Sequence, residues 1–199
     1  MYINTLSQTG ERIIGFLLNN LKTQFSIREL AKKLGQDYKI VFLTAKTLEK
    51  EKIIEIKRVS NINQCSIHLL QKHAALFAYV SERLAFQKLP QKVWHAINDI
   101  IANIDNPCYA ILLFGSYAKG TMNASSDVDL LFIVSRKEKQ IEAASMRAAT
   151  LNNIPIHPII LTMEEFRIGL KQESVSSEAY KKHFIIKGGE MFYSLISNA

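Results

Sequence analysis

The stretch "LFGSYAKGTMNASSDVDLLFIV", residues 113–134, decides how the C-terminal half of this chain is interpreted. An apolar run ends at a Gly-Ser pair, a second glycine closes a short polar segment, and two aspartates precede another apolar run. Short apolar runs bounded by glycine and polar residues predict two strands joined by a turn. Asp127 and Asp129 are at positions i and i+2, so on one strand both carboxylates would point to the same face.

The two glycines also match the spacing of a phosphate-binding loop. Gly115 and Gly120 are separated as in G-x-x-x-x-G, but a P-loop continues with Lys and then Ser or Thr. This chain continues with Thr121-Met122, which excludes a P-loop nucleotidase. Backbone N–H groups in such a turn, together with the Ser116 hydroxyl, can still face an anion.

The paired aspartates favour a metal site. Two neighbouring carboxylates repel each other unless a cation lies between them, and Mg²⁺ prefers oxygen ligands. A triphosphate held by the Gly-Ser turn beside such a site is the arrangement that nucleotidyl transfer requires. A surface turn followed by capping aspartates would not explain two carboxylates on one face of an apolar strand.

The whole stretch resembles the signature of the DNA polymerase beta-type nucleotidyltransferase superfamily. That signature is Gly-Ser, a small basic segment, Gly, a spacer, and then Ser-Asp-x-Asp before an apolar strand. The matching residues are Gly115, Ser116, Lys119, Gly120, Ser126, Asp127 and Asp129. The resemblance, which is greatest to the minimal nucleotidyltransferases, implies that Asp127 and Asp129 are catalytic and bind Mg²⁺ or Mn²⁺. It also implies that Gly115, Ser116, Lys119, Gly120 and Ser126 bind a nucleoside triphosphate, with ATP as the expected donor.

One position departs from the superfamily pattern. A third carboxylate normally comes from a later strand, in a context like I-P-V-D, whereas this chain has "IPIH" with His157 at that place and Pro158 after it. A neutral imidazole suits Mg²⁺ poorly, although it can bind a transition metal. His157 is therefore either a metal ligand or a spectator, and Pro158 favours an edge strand.

The N-terminal third has a different pattern. Residues 26–57, "SIRELAKKLGQDYKIVFLTAKTLEKEKIIEIK", follow one amphipathic helix and read as a helix, a tight turn, a second helix and the start of a hairpin. Ser26 and Glu29 predict a capping box, and Gly35 predicts the helix end. This run resembles the winged helix-turn-helix superfamily. The resemblance implies DNA binding, and the candidate contacts are Tyr38, Lys39, Lys46, Lys57 and Arg58.

Charge supports a polyanion partner for the same region. The chain has a net charge of +7, and residues 1–67 contain eleven Lys and Arg against six Asp and Glu. Residues 68–199 contain fourteen against twelve, so most of the excess lies in the N-terminal third. A solvated lysine-rich surface would have the same composition, so charge alone leaves this choice open.

We therefore predict an α+β protein with three parts: a winged helix domain over residues 1–68, a helical linker over 69–105, and a nucleotidyltransferase-like domain over 106–199. The C-terminal part would have a small mixed sheet flanked by helices. The apolar runs are too short to span a membrane, and Glu11 and Arg12 interrupt any leader, so we expect a cytoplasmic protein. Exposed linker helices and a two-fold DNA site would favour a homodimer.

Two functions fit these patterns. The first is a metal-dependent enzyme that transfers a nucleoside monophosphate to a hydroxyl on a protein, an RNA or a small molecule. The second is a DNA-binding transcription regulator whose nucleotidyltransferase domain is catalytically degenerate and serves for nucleotide sensing or dimerisation. A third possibility, modification of a partner toxin, is known for some minimal nucleotidyltransferases, and no residue pattern here identifies such a partner.

Overall fold

The N-terminal part of the computed structural model, which describes residues 6–104, 108–137 and 139–197, contains three helices and a small antiparallel sheet. The helices are α1 (Gln8–Leu18), α2 (Ile27–Leu34) and α3 (Tyr38–Lys50). The strands are β1 (Phe25–Ser26), β2 (Ile54–Val59) and β3 (Ile62–Ile67), in the order β1-β3-β2. The predicted succession of three helices and a hairpin is therefore present.

Local sequence signals explain the helix ends. Ser26 and Glu29 form the predicted capping box of α2, and Gly35 ends that helix in the left-handed conformation with φ of 59°. Asp37 caps α3 by accepting hydrogen bonds from the backbone N–H groups of Lys39 and Ile40.

Two long helices follow the hairpin. They are α4 (Ala74–Lys88) and α5 (Gln91–Ala102), and Pro90 separates them because it lacks the N–H that would continue α4. A 3₁₀ turn over Gln71–His73 leads into α4.

The C-terminal part is built on a four-stranded mixed sheet. Its strands are β4 (Cys108–Leu113), β5 (Val128–Val134), β6 (Ile156–Thr162) and β7 (Phe184–Lys187), in the order β6-β5-β4-β7. β5 runs parallel to β6 and antiparallel to β4, and β4 runs antiparallel to β7. The remaining helices are α6 (Gly115–Lys119), α7 (Lys139–Asn152), α8 (Met163–Gly169), α9 (Val175–Lys181) and α10 (Gly189–Ser197). The α+β class with a mixed sheet between helices is confirmed, and Pro158 lies on the edge strand β6.

One strand is not evident from its local sequence. The pattern of the closing residues 176–196 favours helix-like segments around Gly188 and Gly189, but the run "FIIK" forms β7. Its side chains Phe184, Ile185 and Ile186 are all buried, because β7 completes the sheet beside β4. A run of four residues has too little periodicity to distinguish a buried strand from a helix segment.

The hydrophobic core is continuous between the N-terminal part and the sheet. One buried cluster contains Ile13 of α1, Leu30 of α2, Phe77 of α4 and Leu131 of β5. A second cluster, which includes Leu130, Phe132 and Val134 of β5, fills the opposite face of the sheet under α5 and α7. The proposed division at residues 68 and 106 stays a prediction, and residues 105–107 lie outside the described residues.

Helix α4 joins the two parts by direct contacts. It packs against α1 on one side and against α10 and β7 on the other. The buried hydroxyls of Ser81 and Tyr193 are hydrogen-bonded at 2.5 Å, and the Glu82 carboxylate accepts a hydrogen bond from the Gly189 N–H at 3.0 Å. In the described ranges, no helix has the length and apolar character needed to cross a membrane.

A buried histidine gives this core a pH dependence. His183 is fully buried beside Phe192, and its Nδ1–H donates a hydrogen bond to the Ala179 carbonyl at 2.8 Å. Burial, partly opposed by hydrogen bonds to the Ala179 and Tyr180 backbone, lowers the pKa of His183 to about 4. The unfolded chain takes up this proton near the ordinary value of 6.5, so this stability is present above pH 6.5 and is lost as the pH falls toward 4.

We expect the free energy of unfolding to fall by about 2 kcal/mol more between pH 7.5 and pH 5 in the wild type than in His183→Asn. The asparagine keeps a donor for the Ala179 carbonyl and cannot take up a proton. Urea unfolding at the two pH values measures the difference, and His95→Asn, at an exposed position of α5, is the control. Identical pH dependence in wild type and His183→Asn would contradict this role of His183.

Candidate active site

The turn between β4 and β5 places Gly115 directly against Asp129. Gly115 begins α6 with φ of 66°, in the region that favours glycine. A Cβ at this position would overlap the carboxylate of Asp129, and the Phe114 N–H donates a hydrogen bond to the Asp129 carbonyl at 3.1 Å. The glycine is therefore needed both for its backbone conformation and for the space that the carboxylate occupies.

His157 lies beside Asp129 on the neighbouring strand. The parallel register of β5 and β6 pairs these two residues, and His157 Nδ1 is 3.2 Å from Asp129 Oδ1. The Asp129 side chain is 25% exposed and that of His157 is 62% exposed, so the pair is open to a ligand. The register thus brings His157 next to the Asp129 carboxylate. His157 is the residue that stands where the superfamily pattern has a third carboxylate.

Asp127 lies just outside the strand. β5 begins at Val128, so the expectation of both aspartates within one strand is correct only for Asp129. Asp127 is exposed, and its carboxylate has no hydrogen bond or ion pair to any described residue. It is two residues from Asp129 at the same mouth of the sheet and is free to take a ligand.

Three of the predicted phosphate-binding residues shape the turn itself. Ser116 is half-buried in the first turn of α6, and its carbonyl accepts a hydrogen bond from the Thr121 N–H at 3.0 Å. Gly120 ends α6 in the left-handed conformation with φ of 73°. The Ser126 hydroxyl accepts a hydrogen bond from the Asn123 N–H at 2.8 Å and so closes the loop before Asp127.

Lys119 has a partner that the sequence did not suggest. Its ammonium group lies 2.6 Å from Glu178 Oε1, on α9. Both side chains are about half exposed, so the ion pair is weakly held and an anionic ligand can compete for the lysine. The sequence did not indicate that Glu178, Lys181 and Lys182 lie near the turn, because their position depends on how α9 packs. The local feature that could have drawn attention to them is the adjacent pair Lys181-Lys182.

The donor chemistry of this site fits a divalent cation of the magnesium type. Mg²⁺ in phosphoryl-transfer sites is commonly held by one or two carboxylates, with waters and substrate phosphates as its other ligands. Asp127 and Asp129 can supply those carboxylates. Among the described residues no group of three or more His, Cys, Asp and Glu side chains is arranged to hold a metal ion.

The candidate DNA contacts lie on exposed surfaces of α3 and the hairpin. Tyr38, Lys39, Lys46, Lys57 and Arg58 are all exposed. Lys46 pairs with Glu49 at 2.8 Å, and Lys57 pairs with Glu55 at 3.1 Å. Lys39 and Arg58 form no ion pair within the described residues, so of these cations they are the ones available to phosphates. The face of α3 also exposes two apolar side chains, Ile40 and Leu43.

A comparison with known protein families covers the segment that contains the sheet site. Residues 97–184 match the family model of the nucleotidyltransferase domain. The match begins in α5, ends at the first residue of β7, and includes the turn, both aspartates and His157; it covers less than half of the chain. Comparisons with curated proteins and with solved structures gave no significant match.

The nucleotidyltransferase domain match supports transferase chemistry for this chain. Domains of this family generally use a nucleoside triphosphate and a divalent metal ion. The residues before 97, with α1, α2, α3 and the hairpin, lie outside the match.

Proposed function

We propose that this chain is a nucleotidyltransferase that transfers a nucleoside monophosphate from a nucleoside triphosphate, with ATP as the expected donor, to a hydroxyl acceptor. The observation that carries the proposal is the Gly115–Asp129 contact. It holds one carboxylate of the Asp-x-Asp pair at the turn whose glycines and Ser116 can receive phosphate oxygens. The family match covers this same segment.

In the proposed reaction, the acceptor oxygen forms a bond to the α-phosphorus. The bond from that phosphorus to the bridging oxygen breaks, pyrophosphate leaves with the electron pair, and the hydroxyl proton passes to solvent. A divalent cation bound by Asp127 and Asp129 would neutralise the charge that develops on the phosphate oxygens.

The chain's own residues would position the triphosphate. The Ser116 hydroxyl and the N–H groups of the turn would bind its oxygens, and Lys119 would exchange Glu178 for a phosphate. Asp129, fixed between Gly115 and His157, needs little reorganisation to receive a cation. Asp127 would complete the pair from the loop closed by Ser126.

We expect Asp127→Ala/Asp129→Ala to reduce label transfer from [α-³²P]NTPs at least about 100-fold, because both proposed cation ligands are removed. The assay uses each of the four NTPs with Mg²⁺ or Mn²⁺, and offers bulk RNA, bulk protein and glycerol as acceptors.

Glu142→Ala/Glu190→Ala removes two exposed carboxylates from the first turns of α7 and α10 and is the matched control. Label transfer that persists in the aspartate double variant would overturn the assignment of the site. Absence of transfer by the wild type with every donor would favour the alternative, a regulator with a degenerate domain.

His157 is proposed to reduce the affinity of the site for Mg²⁺ relative to a carboxylate at the same register position. We expect His157→Asp to tighten Mg²⁺ binding about tenfold, in the presence of a non-hydrolysable ATP analogue, and to tighten Mn²⁺ binding less. Titration calorimetry measures both affinities independently of turnover. His95→Asp adds the same charge at an exposed position of α5, and an equal effect there would contradict a specific role for His157.

DNA binding through the N-terminal part is a second proposed function. It is supported by the order of α1, α2, α3 and the hairpin, and by the cations Lys39 and Arg58, which form no ion pair with any described residue. In this proposal α3 enters the major groove with Tyr38, Lys39 and Lys46, and Lys57 and Arg58 contact the backbone. A homodimer would match a two-fold symmetric site, and it remains a prediction.

We expect Lys39→Ala/Arg58→Ala to weaken binding of a 30-base-pair DNA duplex about tenfold. We also expect the slope of log K against log salt to become shallower by about 2, since two phosphate contacts are lost. Fluorescence anisotropy at salt concentrations from about 50 to about 200 mM measures both quantities. Lys72→Ala/Lys88→Ala is the control: it removes two exposed lysines, one in the 3₁₀ turn before α4 and one at the last residue of α4, and an equal loss there would refute the assigned surface.

A further inference from the structure

A group of lysines extends from the candidate active site onto the N-terminal part of the chain. We call this group the lysine band; its members are Lys22, Lys33, Lys119, Lys181 and Lys182. Only Lys119 belongs to the motif stretch, and none of the five is among the candidate DNA contacts on α3 and the hairpin.

One end of the band lines an open cleft between the end of α6 and α9. The cleft has a volume of about 370 Å³, and the side chains that line it include Lys119, Ser177, Glu178, Lys181 and Lys182. Lys119 is the last residue of α6, whose first residue, Gly115, touches Asp129. The cleft therefore begins one short helix away from the proposed catalytic carboxylate.

The other end of the band lies where the N-terminal part meets α9. The Lys182 ammonium group donates a hydrogen bond to Asn20 Oδ1 at 3.1 Å, just after α1. The Lys22 ammonium group lies 5.2 Å from the centre of the Tyr180 ring. These contacts join the cleft to the surface of the N-terminal part.

The band contains more positive charge than its acidic neighbours neutralise. Within the described residues, Lys119 is the one band member that forms an ion pair, while Lys22, Lys33, Lys181 and Lys182 have none. The acidic side chains that line the cleft are Glu173 and Glu178. Lys182 is partly buried, and burial followed by the positive charge of Lys33 lowers the pKa of its ammonium group. Like charges placed this closely repel one another, and a bound polyanion would relieve that repulsion.

The extent of the band distinguishes its ligand from the donor triphosphate. A triphosphate at Ser116 can use Lys119, whereas Lys22 and Lys33 belong to the N-terminal part, where Lys22 contacts α9 at Tyr180. Lysines on flexible stems contact successive phosphates without reading bases, and a tyrosine ring beside such a track can stack on a base.

The sheet face that carries Asp129 also carries Leu131, which packs in the same core cluster as α1 and α2. The carboxylate and the band thus lie on the same side of the sheet.

We propose that the lysine band binds the phosphodiester backbone of a single-stranded nucleic acid and directs its terminal hydroxyl to the site of Asp127 and Asp129. This inference rests on the proposed transferase function and names its acceptor class. The strand would cross from the N-terminal part along α9 to the cleft beside Lys119. Its end would then lie next to the donor phosphates.

The test compares the full chain with Lys22→Ala/Lys33→Ala/Lys181→Ala, which changes three exposed band members and leaves the partly buried Lys182 in place. The probes are fluorescent 20-nucleotide single strands of RNA and of DNA with a free 3′ hydroxyl. We expect the triple variant to bind a strand about tenfold more weakly at 100 mM salt, with a salt slope shallower by about 2, as for three lost contacts on a single strand. The change should appear for RNA, DNA or both.

A control variant locates the effect. Lys72→Ala/Lys88→Ala removes two exposed cations outside both the band and the candidate DNA contacts, and an equal loss of strand binding there would overturn the proposal. Circular dichroism melting of every variant verifies that the fold is retained; Lys33→Gln, measured singly, replaces the triple variant if that one unfolds, with about a twofold loss expected.

Three further outcomes would overturn the inference. The first is unchanged strand binding in the folded triple variant. The second is an equal weakening of ATP binding, measured by calorimetry, which would assign the band to the triphosphate. The third is displacement of the strand by poly-glutamate as effectively as by unlabelled strand, which would indicate an acidic peptide. Label transfer to glycerol or protein that depends on Asp127 and Asp129 would show that the transferase proposal stands when the band proposal fails.

Discussion

The burial of β5 on both faces is the constraint on which the rest of the structure depends. Leu131 and Ile133 enter one hydrophobic cluster, while Leu130, Phe132 and Val134 enter the other. A one-residue slip of this strand would exchange the two sets and leave both clusters wrongly filled. The register is therefore fixed, and with it the position of Asp129 beside His157 and under Gly115. A strand held this firmly gives Asp129 a fixed position at its open end.

The packing of α4 extends that rigid frame to the N-terminal part. Because α4 contacts α1 on one side and α10 and β7 on the other, the proposed domains share a core instead of being joined by a free linker. The contacts of Lys182 and Lys22 with the opposite part of the chain depend on this arrangement. A polyanion bound along α9 would thus meet one continuous surface, and its binding would not require two domains to be brought together.

Local signals predicted a large part of the structure. The capping box at Ser26, the left-handed end at Gly35 and the break at Pro90 depend on neighbouring residues, so they could be inferred without tertiary contacts. The strand β7 could not, because four apolar residues become a strand only when β4 offers an edge to pair with. The start of β5 at Val128 is similar, since the pairing partner decides which aspartate lies within the sheet.

The sequence by itself determined the motif chemistry: two glycines, Ser116 and an Asp-x-Asp pair ahead of an apolar strand, with His157 on a later strand. The glycines, Ser116 and the aspartates lie in one short stretch, residues 115–129, so their residue types and spacing carry the information. Only the tertiary structure decided that Asp129 meets His157 at 3.2 Å, that Lys119 pairs with Glu178, and that lysines from both ends of the chain lie around α9. Such contacts join residues from 28 to 162 positions apart, and packing of the shared core, not local sequence, brings them together.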